Sequence, residues 1–445
     1  MQRRVLSLVL VSGLIGLPAV ALRFLCVGKS CPAAAAAAPP VPFCPLPAAL
    51  KTEIATGYVD GRSPVVLAVP TQQGAVTGGT GPTPARLTWP AVSPSPDTSV
   101  PIVFAGTGVR PGRLPSGTGL DQVAPTLAEI MGFTRSHPEI RAGIAIPGVA
   151  RVARPALILI VGWAGVGSSG LSGHLSRTPW LRSALGSGAG TLSGTTGSVP
   201  LDPASTLTTI GTGGTPHQHG ITGSLLVGPG GTVVPAWGAG APRSIIATLA
   251  DDWSQARPAA SIGLIAPTNT DRGLIGGNWY VGHGPVDLRI GADPLAAERS
   301  MLQQGFGADG TTDILGVVLG GTPGQIDRET ASLVRGANAA TGGSLTVVVA
   351  GTGSMSSPAE AVGGAAGPAV TGAEIAARID AALGASGLVT GVGGGGLFLN
   401  NQVMTSRGLS TANVSAAMAA LRGQSGTPLF DSTFPGFAVA FGKYC

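Results

Sequence analysis

Pro155–Trp163, PALILIVGW, runs apolar with no polar alternation. That pattern predicts a strand buried on both faces of a parallel sheet. Ala259–Ala266, Asp313–Gly320 and Ser344–Gly351 repeat it, and Ser63–Pro70 and Val100–Gly106 are shorter runs of the same kind. Between them the apolar positions change to a helical period. In Gly119–Phe133 they fall at Val123, Leu127, Ile130 and Met131, with Asp121 placed to cap. Leu171–Leu185, a segment from Thr206, Arg243–Ala256, Gln325–Ala340 and Gly372–Ala385 are further predicted helices. Strands alternating with helices predict an α/β fold, a three-layer α/β/α sandwich with a mainly parallel central sheet. The segment after Gly396 predicts an additional short helix and strands.

Composition qualifies this picture. Of 445 residues, 44% are hydrophobic, enough for a sizeable core. Gly (72) and Pro (37) together make up about a quarter of the chain, so the connecting loops are long. The net charge is +5, but only 11% of residues are charged and 4% aromatic. No basic stripe with interleaved aromatics is present, which argues against a nucleic-acid partner.

The N-terminus predicts export. Arg3 and Arg4 precede an apolar run from Val5 to Ala21, and Ala19-Val20-Ala21 fits a cleavage site. Residues 1–27 form a signal peptide or, if retained, a membrane anchor, which would be the chain's contact with a membrane. Residues 28–50 form a Pro/Ala-rich tether, and residues 51–445 one domain. The expected location is secreted or in the cell envelope. The four cysteines, Cys26, Cys31, Cys44 and Cys445, lie at the two ends of the chain. In an oxidising compartment they predict disulfides, with a bridge from the tether to Cys445 favoured.

Two motifs bear on chemistry. Gly165–Gly170, GVGSSG, is formally a dinucleotide fingerprint, but the next acid after it is Asp202. A tight turn after a strand accounts for its glycines. Leu207–Gly223, LTTIGTGGTPHQHGITG, is more specific. With the strand Leu157–Val161, Thr178–Leu181 (TPWL) and Val347–Met355 (VVVAGTGSM), it resembles the alkaline phosphatase superfamily, in particular its nucleotide pyrophosphatase/phosphodiesterase branch. GYVDGRSPVVLAVP and VPIVFAGTG through LDQVAPTLAEIMGF resemble that family's C-terminal part, yet here they come first. The resemblance therefore implies a circularly permuted order. Residues 51–150 match the family's end, and 151–390 its beginning and middle.

The family's chemistry uses two zinc ions held by Asp and His, and a Thr or Ser nucleophile at a helix start. Gly162-Trp163 stands where the resemblance places the first Asp ligand, and Thr352-Gly353 where it places an Asp-His pair. Asp327 remains of a further pair, without its His. The nucleophile position falls at Asp202 or Pro203, with Ser205 and Thr206 close by; capping is the structural reading of those two hydroxyls. His217 and His219 form a His-x-His pair, His219 matching a fold-signature position expected to act by hydrogen bonding. His137, His174 and His283 could build a new site with Asp202, Asp271 or Asp287. Asp251-Asp252 is expected on a solvated helix face.

The expectation is a pseudoenzyme that keeps the fold and acts by binding a ligand or an envelope partner, with no cofactor. An active metal-dependent phosphodiesterase or phosphatase with relocated ligands, using zinc, is the alternative. A structural envelope protein is the third reading.

Overall fold

The computed structural model describes residues 43–70, 76–77, 86–87, 98–168, 171, 175–277, 279–280, 286–353, 370–393, 395–423, 426 and 428–442. The strands that matter below are β1 (Val66–Pro70), β2 (Ser99–Gly106), β3 (Leu157–Ala164), β4 (Ala189–Thr195), β5 (Ile262–Ala266), β6 (Asp287–Ile290), β7 (Asp313–Gly320), β8 (Leu345–Gly351), β9 (Val389–Gly393), β10 (Gly396–Leu399) and β11 (Phe430–Pro435). The helices are α1 (Ala48–Gly57), α2 (Val123–Met131), α3 (Pro179–Ser187), α4 (Pro203–Thr212), α5 (Pro216–His219), α6 (Leu249–Ala256), α7 (Pro294–Gln303), α8 (Pro323–Ala340), α9 (Gly372–Leu383), α10 (Asn401–Arg407), α11 (Thr411–Ala419) and α12 (Gly436–Ala440).

The main sheet runs β6-β5-β7-β3-β8-β2-β4 and ends on the two-residue strand Gly112–Arg113. β6, β5, β7, β3 and β8 are parallel, whereas β2 is antiparallel to both of its neighbours. Alternate residues of β3 feed two cores. Ile158 and Ile160 meet α2, α4 and α6 through Leu127, Leu207 and Trp253. Leu157, Leu159, Val161 and Trp163 meet α3, α7 and α8 through Leu181, Met301 and Leu333. This is the expected α/β/α sandwich, and its continuous apolar strands are the ones covered on both faces.

The run Ser63–Pro70 contributes β1, but not to this sheet. β1 lies between β10 and β11 in a four-stranded antiparallel sheet, β9-β10-β1-β11. One face of that sheet packs on α9 and α11 through Ile375, Ile379, Val414 and Met418. The other packs on α1, where Leu67, Val69 and Phe434 meet Ile54 and Tyr58. The same cluster contains Val199 and Leu201, so α1 also braces the segment leading into α4. Val199 donates its amide to Glu53 O at 3.2 Å.

Several expected helices are shorter than their apolar period suggests. Arg243–Ala256 is helical only from Leu249, because Thr248 caps there, accepting from Asp251 N. Gly119–Phe133 is helical from Val123, after a 3-10 turn at Leu120–Gln122. Among the described residues no helix is long and apolar enough to cross a membrane. The expected leader and most of the tether lie outside the described residues.

Candidate functional site

α4 begins where the resemblance places a nucleophile. Its N-cap is Asp202, whose Oδ1 accepts from Ala204 N at 2.9 Å, and Pro203 follows at the first helical position. Asp202 also holds Ser224: Oδ2 accepts its amide at 2.8 Å and Oδ1 its hydroxyl at 2.7 Å. Burial pushes this carboxyl above its usual range, and the bonds from Ser224 and Ala204 pull the other way. The cap is thus Asp202, not Ser205 or Thr206 as the sequence suggested. Thr206 lies buried within the first turn, its hydroxyl donating to Asp202 O at 3.2 Å. Thr208 and Thr212 bond back to the carbonyls of Ala204 and Thr208, both at 2.6 Å, which satisfies their hydroxyls inside the core.

α4 lies directly on β3. Gly162 has no Cβ, and one placed there would meet Leu207 Cδ2. Trp163, beside it, is fully buried and donates Nε1–H to Thr330 Oγ1 on α8 at 3.0 Å. Past the strand ends, Thr352 Oγ1 accepts from Gly165 N at 2.9 Å, and Gly353 N donates to Val166 O. The loops after β3 and β8 are therefore bonded to each other. Asp327, on α8, accepts from Trp180 N and Leu181 N at 3.0 and 2.8 Å, so it caps α3.

The two histidines of the His-x-His pair have separate surroundings. His219 is fully buried; its Nδ1 accepts from Ile221 N at 3.1 Å, which leaves Nε2–H to donate to Thr209 Oγ1 at 3.1 Å. Burial, with Arg62 adding to it, lowers its pKa to about 3, so the ring is neutral across the physiological range. His217 is exposed and donates Nδ1–H to Tyr58 O at 2.9 Å, which leaves Nε2 as an acceptor. It lines an open groove of about 880 Å³ that also takes in Lys51, Tyr58, Asp60, Gln218 and Ala440. Tyr58 Oη donates to Asp60 Oδ1 at 3.3 Å across the same wall. Lys51, Tyr58 and Asp60 were not singled out from sequence. They come from α1 and the turn after it, some 160 positions from His217, and no spacing rule joins them.

Asp251 and Asp252 require a correction: both are buried, not on a solvated face. Asp251 closes a capping box with Thr248 and accepts from Gly277 N at 2.8 Å. Asp252 Oδ2 pairs with Arg135 Nε at 2.7 Å and Arg141 Nη2 at 3.2 Å, while Tyr280 donates to its Oδ1 at 2.8 Å. Arg135 also holds Thr212 O and Ala247 O, tying the end of α4 to α6. Burial lowers Arg135 to about 10, opposed by the charge of Asp252, so it stays cationic at neutral pH.

The remaining candidates are dispersed. His137 is exposed and contacts Glu139 at 3.2 Å. Asp271 caps a 3-10 turn through Thr268, and Asp287 pairs with Arg289 at 2.9 Å. His174 and His283 lie outside the described residues. Among the described residues no three His, Cys, Asp or Glu side chains group to hold a metal ion. Cys44 is disulfide-bonded; Cys26, Cys31 and Cys445 lie outside the described residues.

The chain is thus an α/β protein with a large, mainly parallel central sheet. Among solved structures it is similar to wild-type alkaline phosphatase PafA, at 14% identity over 61% of this chain and 77% of that one, with a TM-score of 0.43. It is also similar to a multiply substituted variant of that enzyme, at 13% identity over 60% and 76% of the two chains, with a TM-score of 0.38. No protein-family model and no curated protein matches the chain.

Proposed function

We propose that this chain is an exported, non-catalytic protein of the cell envelope that keeps an alkaline-phosphatase-like fold and acts by binding a ligand or partner. One observation carries the reading: the polar residues that the resemblance offers for a metal site or nucleophile are spent on holding the fold. Asp202 caps α4 and anchors Ser224, Asp327 caps α3, and His219 uses both ring nitrogens in the core. A two-zinc site needs carboxylate oxygens and imidazole nitrogens free to coordinate. These residues do not fit that group. A hydroxyl with no neighbouring base or metal is a weak nucleophile, and that of Thr206 is bonded to the backbone. Binding belongs instead to the groove beside His217. It is an open groove whose wall mixes the polar Lys51, Tyr58, Asp60, His217 and Gln218 with the apolar Phe43, Val439 and Ala440.

The test is hydrolysis of para-nitrophenyl phosphate and bis(para-nitrophenyl) phosphate by the full mature chain supplemented with zinc. The expected result is no turnover above the Thr206→Ala variant. Turnover abolished by that substitution would establish the phosphoester-hydrolase alternative.

A further inference from the structure

Glu298 lies on α7, where that helix packs against α8. The residue is 3% exposed, and its Oε1 is buried without a hydrogen-bond partner among the described residues. A carboxylate in that position would lack both water and a counter-group, whereas a neutral carboxylic acid costs far less to bury. The backbone of α8 makes room for it: a methyl group on Gly336 would stand 3.0 Å from Oε2. Beyond Glu298, α7 buries Ala297 and Met301 against the sheet, with Met301 reaching the space above Gly263 of β5. Because α7 follows the edge strand β6 after three residues, it covers that end of the sheet.

We propose that Glu298 is a pH-sensitive latch. As the neutral acid it lets α7 close on α8; losing its proton to solvent, it favours the open arrangement, in which the carboxylate reaches water and the β5–β6 edge loses its cover. The surrounding charges do not replace the proton. Arg299, next in the chain, acts on the carboxyl weakly in the opposite direction. On α8, Asp327 is engaged with α3, Glu329 with Gln325 and Arg335 with Ser332, and Arg328 acts on Asp327. On β5 there is no charged residue; on β6 Arg289 is engaged with Asp287 and with Gln304 at the end of α7; and Asp313 at the start of β7 is held by Ser261 and Gly307 amides.

Burial pushes the closed-state carboxyl up to about 8 from a free value of 4.5. The sign follows: the closed form holds the proton more tightly than the open form. Closure is therefore strongest below pH 4.5, weakens through the interval up to about 8, and levels off above it. One proton is released per opening, so the opening constant rises about tenfold per pH unit inside that window.

The experiment is hydrogen exchange of the α7 amides in the full chain from pH 5 to 9, corrected for intrinsic rates. In wild type, protection of α7 should fall with pH and then level off near 8, while Glu298→Gln should show no such fall. An equal fall in Glu298→Gln, or none in wild type, overturns the proposal. Should Glu298→Gln fail to fold, the protonated-carboxyl stretch in infrared spectra of wild type at pH 6, assigned by carboxyl-labelled glutamate, decides. A fully ionised set of buried glutamates there would refute the latch, and a retained acid band titrating together with α7 exchange would support it.

Discussion

Replacing Asp252 by Ala should destabilise the chain by about 3–5 kcal/mol, the cost of breaking a buried ion pair from one side. The substitution leaves Arg135 and Arg141 buried without their shared carboxylate, and removes the acceptor of the Tyr280 hydroxyl. With Asp252 in place, burial lowers the Arg135 guanidinium only to about 10, so it is cationic near neutral pH and its charge is what the substitution leaves uncompensated. Their remaining bonds run to the carbonyls of Thr212, Ala247, Ser136 and His137, which satisfy donors without neutralising charge. Equilibrium denaturation of wild type and Asp252→Ala measures the loss. A change below about 1 kcal/mol, the size expected of an exposed pair, would return Asp252 to the solvated face that its sequence suggested.

The second large effect is expected at Asp202. Asp202→Ala removes the cap of α4, worth about 0.5–2 kcal/mol, and takes the acceptor from the half-buried amide and hydroxyl of Ser224, worth up to about 1–3 kcal/mol more. A total near 3 kcal/mol is the expected result by denaturation. The consequences should spread along α4, since Thr206 and its successors are aligned from that cap. A carboxylate retained for chemistry behaves in the opposite way, because its removal relieves burial and leaves stability unchanged or raised. Unchanged stability in Asp202→Ala would therefore contradict the structural role assigned to it.

The central sheet was legible because its strands carry a strong local signal. β3, β7 and β8 are unbroken apolar runs, and both their faces are covered, as such runs require. β1 was legible as a strand but not by its sheet, since its partners β10 and β11 lie more than 300 positions away. The burial of Asp251-Asp252 was hidden for a similar reason. The arginines that neutralise Asp252 follow α2, more than 100 positions earlier, and a pair of acids on an amphipathic helix otherwise faces water. At α4 the sequence located the right region and the wrong capping residue. Asp202-Pro203 is itself a helix-start signal, and it takes precedence over the hydroxyls that follow. Of the His217 groove only His217 itself was legible, because α1, the turn after it and a C-terminal segment complete the wall from distant parts of the chain.

If Asp202, Asp327 and His219 serve the fold as proposed, the chain should not retain a pair of metal ions. Elemental analysis of the purified mature chain, exchanged into metal-free buffer after exposure to zinc, tests it most directly. The expected result is zinc far below stoichiometric. About two zinc ions retained per chain, the loading of a two-metal phosphoester site, would contradict the account.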